Sequence, residues 1–318
     1  MNFRILGTGM YVPEKIVTND DLSQLVETDD AWITQRVGVR QRHVSQTQTA
    51  ADMATIAAKD ALAAANVSPE ELDLILVASI SSETASPSTA CLVQRNIGAT
   101  CMAFDLSAAC AGFLFSLENA AMWFRAGKVK KALVIGAERM SRIVNWKDRS
   151  TCVIFGDGAG AVVLGEGNAY VDSVFHVMGN DEVICVPNDA GTSPFWKGAM
   201  LEPYVTMQGQ ETFKFAVKSM VRDIQTLVER NHRTLDDIAC IVPHQANYRI
   251  IELAARKLNL PLDRFVIDIA EYGNTSAASV AIALHEAVQS GRIKAGDQVV
   301  LAAFGGGLSS AAVLLNWE

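Results

Sequence analysis

Phe104-Asp105-Leu106-Ser107-Ala108-Ala109-Cys110-Ala111-Gly112-Phe113-Leu114-Phe115-Ser116-Leu117 begins as a strand and continues as a helix. Ala103, Phe104 and Leu106 are apolar, and residues 107–109 are small. From Ala111 the chain is a good helix former until Gly127 stops it. A helix that is apolar on nearly every side is a buried one. Cys110 is thereby expected at the N-terminus of a buried helix, where unpaired N–H groups and the helix dipole favour a thiolate. A dipole contribution of about 1 kcal/mol brings a thiol from a pKa of about 8.5 toward neutrality. The competing reading is a small buried hydrophobe, since cysteine is among the most buried residues. The rest of the chain has to decide between them.

The chain has 318 residues, half of them hydrophobic and 19% charged, which is ample material for a folded core. Its net charge of −8 argues against a general nucleic-acid binder. No apolar run approaches a membrane span, and the start of the chain reads as a first strand, not a signal peptide. The six cysteines are scattered without a Cys-x-x-Cys pair. Neither a metal site nor a disulfide framework is suggested, and a reducing cytoplasm is the simplest setting.

Outward from Cys110, buried-strand runs occur at Leu74–Ser79, Lys131–Gly136 and Ala161–Leu164, with helices over Thr49–Ala65 and Thr89–Ile97. Asn19 or Asp20 is expected to cap a short helix, and Asp29-Asp30 another that carries Trp32 and Arg36. Arg36, Arg40 and Arg42 form a basic cluster, either a solvated face or a phosphate site. Gly156-Asp157-Gly158-Ala159-Gly160 lacks the dinucleotide spacing and precedes a strand, so its glycines read as close backbone packing.

The second half repeats the pattern. A helix over Phe213–Glu229 matches 49–65, and the strand Ile238–Val242 matches 74–77. Tyr248–Leu258 matches 89–97, and Phe265–Ile269 matches the strand 103–106. The helix Thr275–Gln289 matches the Cys110 helix, and Val299–Gly305 and Ala311–Leu315 match the last two strands. Two duplicated α/β halves follow, with helices on both faces of each sheet. Laying one half on the other puts Asn274 where Cys110 stands, and a pseudo-twofold axis brings the two helix starts together. Asn274 also suits an ordinary N-cap. His244, in Pro243-His244-Gln245-Ala246-Asn247, follows a buried strand, where α/β folds place their sites, although a hydrogen-bonded structural histidine is equally common there. His43, His176, His232 and His285 lie in less promising contexts. Gly305-Gly306-Gly307 is either a plain tight turn or backbone that presents an N–H to an oxyanion.

Five motifs in order, at 105–113, 155–161, 243–247, 273–279 and 304–307, span the chain. Together the chain resembles the β-ketoacyl-acyl-carrier-protein synthase III family, thiolase-fold condensing enzymes that start fatty-acid synthesis. The resemblance implies a five-layered αβαβα fold, with an N-terminal half (1–165) holding the nucleophile and a C-terminal half (166–318) holding histidine and asparagine. It also implies a cytoplasmic homodimer that uses acyl-CoA and malonyl-acyl-carrier protein, with no cofactor, no metal, and neither nucleic acid nor membrane as a partner. Cys110, His244 and Asn274 match the catalytic set; relatives outside this branch carry Cys-His-His or Cys-His-Cys. The N–H groups of Cys110 and Gly306 match the oxyanion hole. Trp32 and Arg149 match residues that sandwich the CoA adenine, and Arg36 one near its phosphates. Met207, Gly209, Phe213, Asn247 and Phe304 match the pantetheine tunnel, and Lys214, Arg249, Arg256 and Lys257 a carrier-protein patch. Arg249 and Arg256, seven apart on one helix, share a face by spacing alone.

One departure stands out. Acetyl-preferring relatives carry a bulky aromatic before the Pro-Ser pair, where this chain has Ser86 before Pro87-Ser88. In the family that residue reaches the partner subunit's acyl pocket, so a longer, branched or aromatic primer is expected to fit. A starter-unit ketosynthase of secondary metabolism is therefore the alternative function. Cysteine proteases also order Cys, His and Asn, but the Cys110 context lacks their signature and the duplicated halves fit them poorly. A non-catalytic carrier-protein scaffold is disfavoured by the complete Cys-His-Asn set.

Overall fold

The computed structural model describes residues 2–188 and 193–318. In the first half the elements run β1 (Asn2–Tyr11), β2 (Ile16–Thr18), α1 (Asn19–Ser23), α2 (Asp30–Arg36), β3 (Gln41–His43), α3 (Ala50–Ala65), β4 (Leu74–Ala78), α4 (Thr89–Ile97), β5 (Met102–Leu106), α5 (Gly112–Arg125), β6 (Lys131–Glu138), α6 (Arg149–Cys152) and β7 (Gly158–Gly167). The second half continues with β8 (Tyr170–Asn180), β9 (Ile184–Cys185), β10 (Thr206–Met207), α7 (Gly209–Arg230), β11 (Cys240–Pro243), α8 (Tyr248–Lys257), α9 (Ile269–Tyr272), α10 (Ser279–Gln289), β12 (Gln298–Gly305) and β13 (Gly307–Asn316).

Among the described residues, one sheet has the order β1-β7-β6-β4-β5 and a second the order β8-β13-β12-β11. Matched strands pair in the same sense: β4–β6 and β11–β12 are parallel, while β6–β7 and β12–β13 are antiparallel. The fold is thiolase-like, with two duplicated halves. Helices α3 and α4 cover the outside of the first sheet, and α7 and α8 the outside of the second. Helices α5 and α10 lie between the sheets and touch both. This is the αβαβα stack that the sequence led us to expect.

The layering follows from the residues. β4 is buried at every position, so it needs apolar helices on both faces. Helix α5 buries Phe113, Leu114, Leu117, Ala120, Ala121 and Phe124, and α10 buries a run from Ser279 to Leu284. Small residues let these central helices approach the sheets closely. At Gly160 on β7, an added Cβ would lie 2.6 Å from the Cβ of Ala281 on α10, so the glycines at 156–160 serve packing as expected.

Three expectations need correction. The fifth strand of the second sheet is missing among the described residues. Phe265 makes one parallel bridge to Ile241, and α9 then turns the chain away. Pro243 closes β11 without an N–H, and the Gln245 side chain does what a ladder would have done. Its amide donates to the carbonyl of Val266 (3.0 Å) and accepts from the N–H groups of Asp268 (3.1 Å) and Ile269 (3.3 Å). Second, α1 is capped by Thr18 in a capping box with Asp21, not by Asn19 or Asp20. Third, Arg42 is no phosphate ligand. It is fully buried, and its guanidinium donates to Val17 O (3.2 Å), Asn19 Oδ1 (2.9 Å) and Val153 O (2.8 Å). Burial lowers its pKa to about 10. Arg36 and Arg40 stay exposed. No described helix is long and apolar enough to cross a membrane.

Gly160→Val would drive a branched side chain into α10 and cost about 1–3 kcal/mol. Urea unfolding should show the lower midpoint; an unchanged midpoint would contradict the close contact of β7 with α10.

Candidate active site

Each half delivers a tight turn to the seam between the sheets. After β5, residues Ala109–Ala111 form a single 3-10 turn that leads into α5; after α9, Ser276–Ala278 form the matching turn into α10. Both turns open on a residue in the left-handed region, Ala109 at φ 46° and Ser276 at φ 50°. For an L-residue with a Cβ, that conformation costs about 1–2 kcal/mol. The cost recurs at the same place in both halves, and the two turns touch. Cys110 sits inside the first turn, two residues ahead of α5, not on the helix itself. At Gly305, the end of β12, an added Cβ would lie 2.8 Å from the Cys110 nitrogen, so only a glycine lets this strand end against the nucleophile.

His244 extends from β11, its N–H donating to Ala302 O (2.7 Å). Its ring is buried and meets Phe304 edge-on, with centroids 5.1 Å apart. Among the described residues Nδ1 has no hydrogen-bond partner. Desolvation lowers the pKa to about 3, so the imidazole is neutral at physiological pH. Asn274 is held by its backbone: its N–H donates to Ile154 O (2.9 Å), and its carbonyl accepts from Gly156 N–H (3.0 Å). Its Oδ1 accepts from Ser276 N–H (2.8 Å). That bond fixes the amide orientation and leaves Nδ2 as the donor for a bound molecule.

The thiol of Cys110 donates to Ser276 Oγ (3.4 Å), and Ser276 Oγ donates in turn to Glu138 Oε1 (3.1 Å). Burial pushes the Cys110 thiol up to about 12, and the Glu138 charge adds to the rise. Burial and the nearby Glu138 thus act against the thiolate that the helix dipole favours. Desolvation of the half-buried thiol, with the Glu138 charge beside it, outweighs a dipole contribution of about 1 kcal/mol. Burial also lifts Glu138, at the end of β6, to about 7. Sequence reasoning passed over Glu138 and gave Ser276 no role. The signal for Glu138 was present: an acid closing an apolar strand, at the carboxyl end where α/β sheets place their chemistry.

A cavity of about 400 Å³ gathers most of the sequence candidates. Cys110, His244 and Asn274 line it together. So do Gly306 and Phe304, with Met207, Gly209, Phe213 and Asn247 farther along. Its other walls are largely apolar, Ile154, Val205 and Ile250 among them. Asn247 caps α8, and its amide also donates to Arg36 O (3.0 Å), which ties α2 to the cavity wall.

Other candidates lie outside the cavity. Arg149 stacks on Trp32, its guanidinium carbon 4.7 Å from the ring centroid, so the two side chains touch with no room for a base between them. Arg149 also donates to Glu27 O (2.8 Å). Ser150, the next residue, lines the cavity. Ser86 is exposed on the loop after β4 and does not line its own chain's cavity. Lys214 on α7 pairs with Glu211 (2.8 Å), and Arg249, Arg256 and Lys257 are exposed on α8. Lys214 and Lys257 line a groove between these helices, together with Lys218 and Arg222, which the sequence reading had not singled out.

Comparison with known proteins bears on the family and the fold. Residues 104–181 match the model of 3-oxoacyl-[acyl-carrier-protein] synthase III, and residues 228–317 match that of its C-terminal part. The β-ketoacyl-[acyl-carrier-protein] synthase III of Aquifex aeolicus is 44% identical over 321 residues, with 100% of both chains covered. That of Clostridium kluyveri is 46% identical over 323 residues, covering 98% of each chain. The crystal structure of the Aquifex aeolicus enzyme superposes with a TM-score of 0.93, covering 99% of this chain and 100% of that one. The priming β-ketosynthase of the R1128 polyketide pathway is 32% identical with a TM-score of 0.92, covering 99% and 96%. At this identity over the whole length, and with this fold, the chain belongs to the β-ketoacyl-acyl-carrier-protein synthase III family.

Proposed function

We propose that the chain condenses an acyl-CoA primer with malonyl-acyl-carrier protein and so initiates fatty-acid synthesis, with Cys110, His244 and Asn274 as its catalytic residues. One observation carries this reading: those three side chains, drawn from both halves, line a single largely apolar cavity, and the histidine and asparagine are neutral. In the first step the Cys110 sulfur attacks the thioester carbon, and N–H groups of Cys110 and Gly306 hold the oxyanion. Collapse expels CoA and leaves an acyl-Cys110 thioester. The pantetheine arm lies along Met207, Gly209, Phe213, Asn247 and Phe304. Arg149 swings off Trp32 to admit the adenine, with Arg36 near the phosphates.

Malonyl-carrier protein then enters the same cavity. Neutral His244 and the Asn274 amide donate hydrogen bonds to its thioester carbonyl. Loss of CO2 leaves an enolate, which those two donors stabilise as charge builds on the oxygen. The enolate carbon attacks acyl-Cys110, and collapse frees the β-ketoacyl product and the sulfur. An imidazolium would be a stronger donor, but burial withholds it; a neutral donor pair remains set in place before the charge forms. The basic groove of Lys214 and Lys257, with Arg249 and Arg256 on the neighbouring faces, suits an acidic carrier protein although the chain as a whole is acidic.

The functional unit is a homodimer. β5 is the edge strand of its sheet, and Met102 on it is 42% exposed, a surface suited to a second copy's β5. A reducing, cytoplasmic setting suits a catalytic thiol among six free cysteines. Ser86, small where acetyl-preferring relatives are bulky, favours a primer longer than acetyl. It is the one feature that leans toward a starter-unit ketosynthase.

Cys110→Ser should abolish the acyl adduct seen by intact mass. His244→Ala and Asn274→Ala should still acylate, while each slows CO2 release from malonyl-carrier protein about 100-fold. An adduct on Cys110→Ser would refute the assignment.

With a His244 pKa of about 3, the ring does not gain its proton until the pH falls well below 5. The rate constant for decarboxylation by acylated enzyme should therefore stay flat between about pH 5 and 8, without the inflection near 6.5 of an ordinary histidine. Stopped-flow CO2 release measures it, and an inflection near 6.5 would show a charged imidazole at work.

Butyryl- and octanoyl-CoA should acylate Cys110 at least as well as acetyl-CoA, and Ser86→Phe should suppress octanoyl transfer about tenfold or more by filling the pocket. If acetyl-CoA far outpaces both and Ser86→Phe changes nothing, the wide-pocket reading fails.

A further inference from the structure

We propose that Ser276 and Glu138 form the path by which the Cys110 proton leaves during acyl transfer, with Glu138 as the acceptor. This rests on the condensing-enzyme reading above and adds to it the fate of one proton. A thiol must lose its proton to attack a thioester, and two observations point away from His244 as the base. Burial lowers the His244 pKa to about 3 and so makes its ring a weak proton acceptor, and among the described residues the hydrogen bond of Cys110 Sγ runs to Ser276.

The chain of bonds has a direction. Cys110 S–H donates to Ser276 Oγ at 3.4 Å, and the Ser276 O–H donates to Glu138 Oε1 at 3.1 Å. Each link already points the way the proton must travel. Ser276 is held in its left-handed conformation, and its N–H is bound to Asn274 Oδ1, so its hydroxyl is fixed between the two groups. Glu138 is fully buried, yet its carboxylate is surrounded by donors. The N–H groups of Ile80 (3.2 Å) and Ser81 (3.1 Å) and the hydroxyl of Ser81 reach Oε2, and the N–H of Ala277 (3.5 Å) reaches Oε1. Those donors favour the charged form and burial opposes it. With a pKa of about 7, Glu138 can both take and return a proton at neutral pH. The ionisable group facing it across Ser276 is Cys110. Arg139, next in the chain, turns its guanidinium to Glu83 at 3.1 Å.

The step balances. As the sulfur bonds to the thioester carbon, its proton moves to Ser276 Oγ, and the Ser276 proton moves to Glu138 Oε1, giving a neutral carboxylic acid. When the tetrahedral adduct collapses, the C–S bond to CoA breaks. The CoA sulfur takes the proton back through Ser276 and departs as a thiol. Glu138 is again ionised, and no thiolate stands exposed before substrate arrives.

The test separates this step from the rest of the cycle. Rapid-quench intact mass measures acylation of Cys110 by acetyl-CoA and butyryl-CoA from pH 5.5 to 9 in wild type, Ser276→Ala and Glu138→Gln. CO2 release by enzyme already loaded with the acyl group is followed in parallel. Both variants should acylate at least about 100-fold more slowly at neutral pH and lose the wild-type inflection near 7, while CO2 release by loaded enzyme is retained. Ser276→Ala removes only a hydroxyl, so it remains informative if Glu138→Gln unfolds. Wild-type acylation rates in Ser276→Ala would overturn the path, as would CO2 release that falls in step with acylation. A wild-type enzyme that takes no acyl group at all would instead bring down the condensing-enzyme reading.

Discussion

The structure depends on two strained turns, 109–111 and 276–278, meeting at the seam between two sheets. Neither turn is stable alone, because each opens on a residue with a Cβ in the left-handed region. They persist because a stiff strand precedes Cys110, a buried helix follows each turn, and the opposite half closes over them. Small residues make that closure possible. A Cβ on Gly112 would lie 2.9 Å from Ala78 Cβ and 3.8 Å from Ala277 Cβ, and Gly305 ends against the Cys110 backbone. The central layer has a largely apolar core, from Phe113 and Leu117 on one helix to Val280 and Leu284 on the other. Burial on that scale holds the turns in a conformation the chain would not choose locally.

The same burial sets the electrostatics. Desolvation pushes the half-buried Cys110 thiol up to about 12, the buried Glu138 up to about 7, and the buried His244 down to about 3. All three shifts favour the uncharged form, so desolvation dominates the site. Chemistry there must make charge only when a substrate is bound and donors already stand in place. Asn274 illustrates the preparation: its backbone and its Oδ1 are all engaged, which leaves a single donor end for the substrate. A cavity of this kind differs from one that keeps a thiolate ready in an open cleft.

Much of this was legible beforehand. Period and composition marked buried strands at 74–79 and 131–136, which the structure places at 74–78 and 131–138, and the internal repeat predicted two sheets of one topology with Cys110 and Asn274 at matching positions. The spacing of Pro243-His244 after a buried run placed the histidine at a strand end. The errors have physical causes. Phe265–Ile269 reads as a strand because four of its five residues are apolar, but Gln245 satisfies its backbone from the side and no ladder is needed. Arg42 reads as surface charge because its neighbours Arg40 and Arg36 are, and its three buried oxygen partners come from distant segments. Glu138 closes β6 just past the apolar run 131–136, where an acid at a strand end looks like an ordinary solvated boundary.

The sequence by itself determined the elements, their duplication and the identity of the reactive groups, since these follow from local propensity, period and side-chain chemistry. Tertiary structure alone decided their state. Whether the thiol is ionised, which way the Asn274 amide faces, which oxygen accepts the Cys110 hydrogen bond, and that Arg149 rests on Trp32 depend on contacts between residues far apart in the chain. Desolvation and hydrogen-bond direction arise only when those residues share one enclosed space, so no reading of neighbours along the chain contains them.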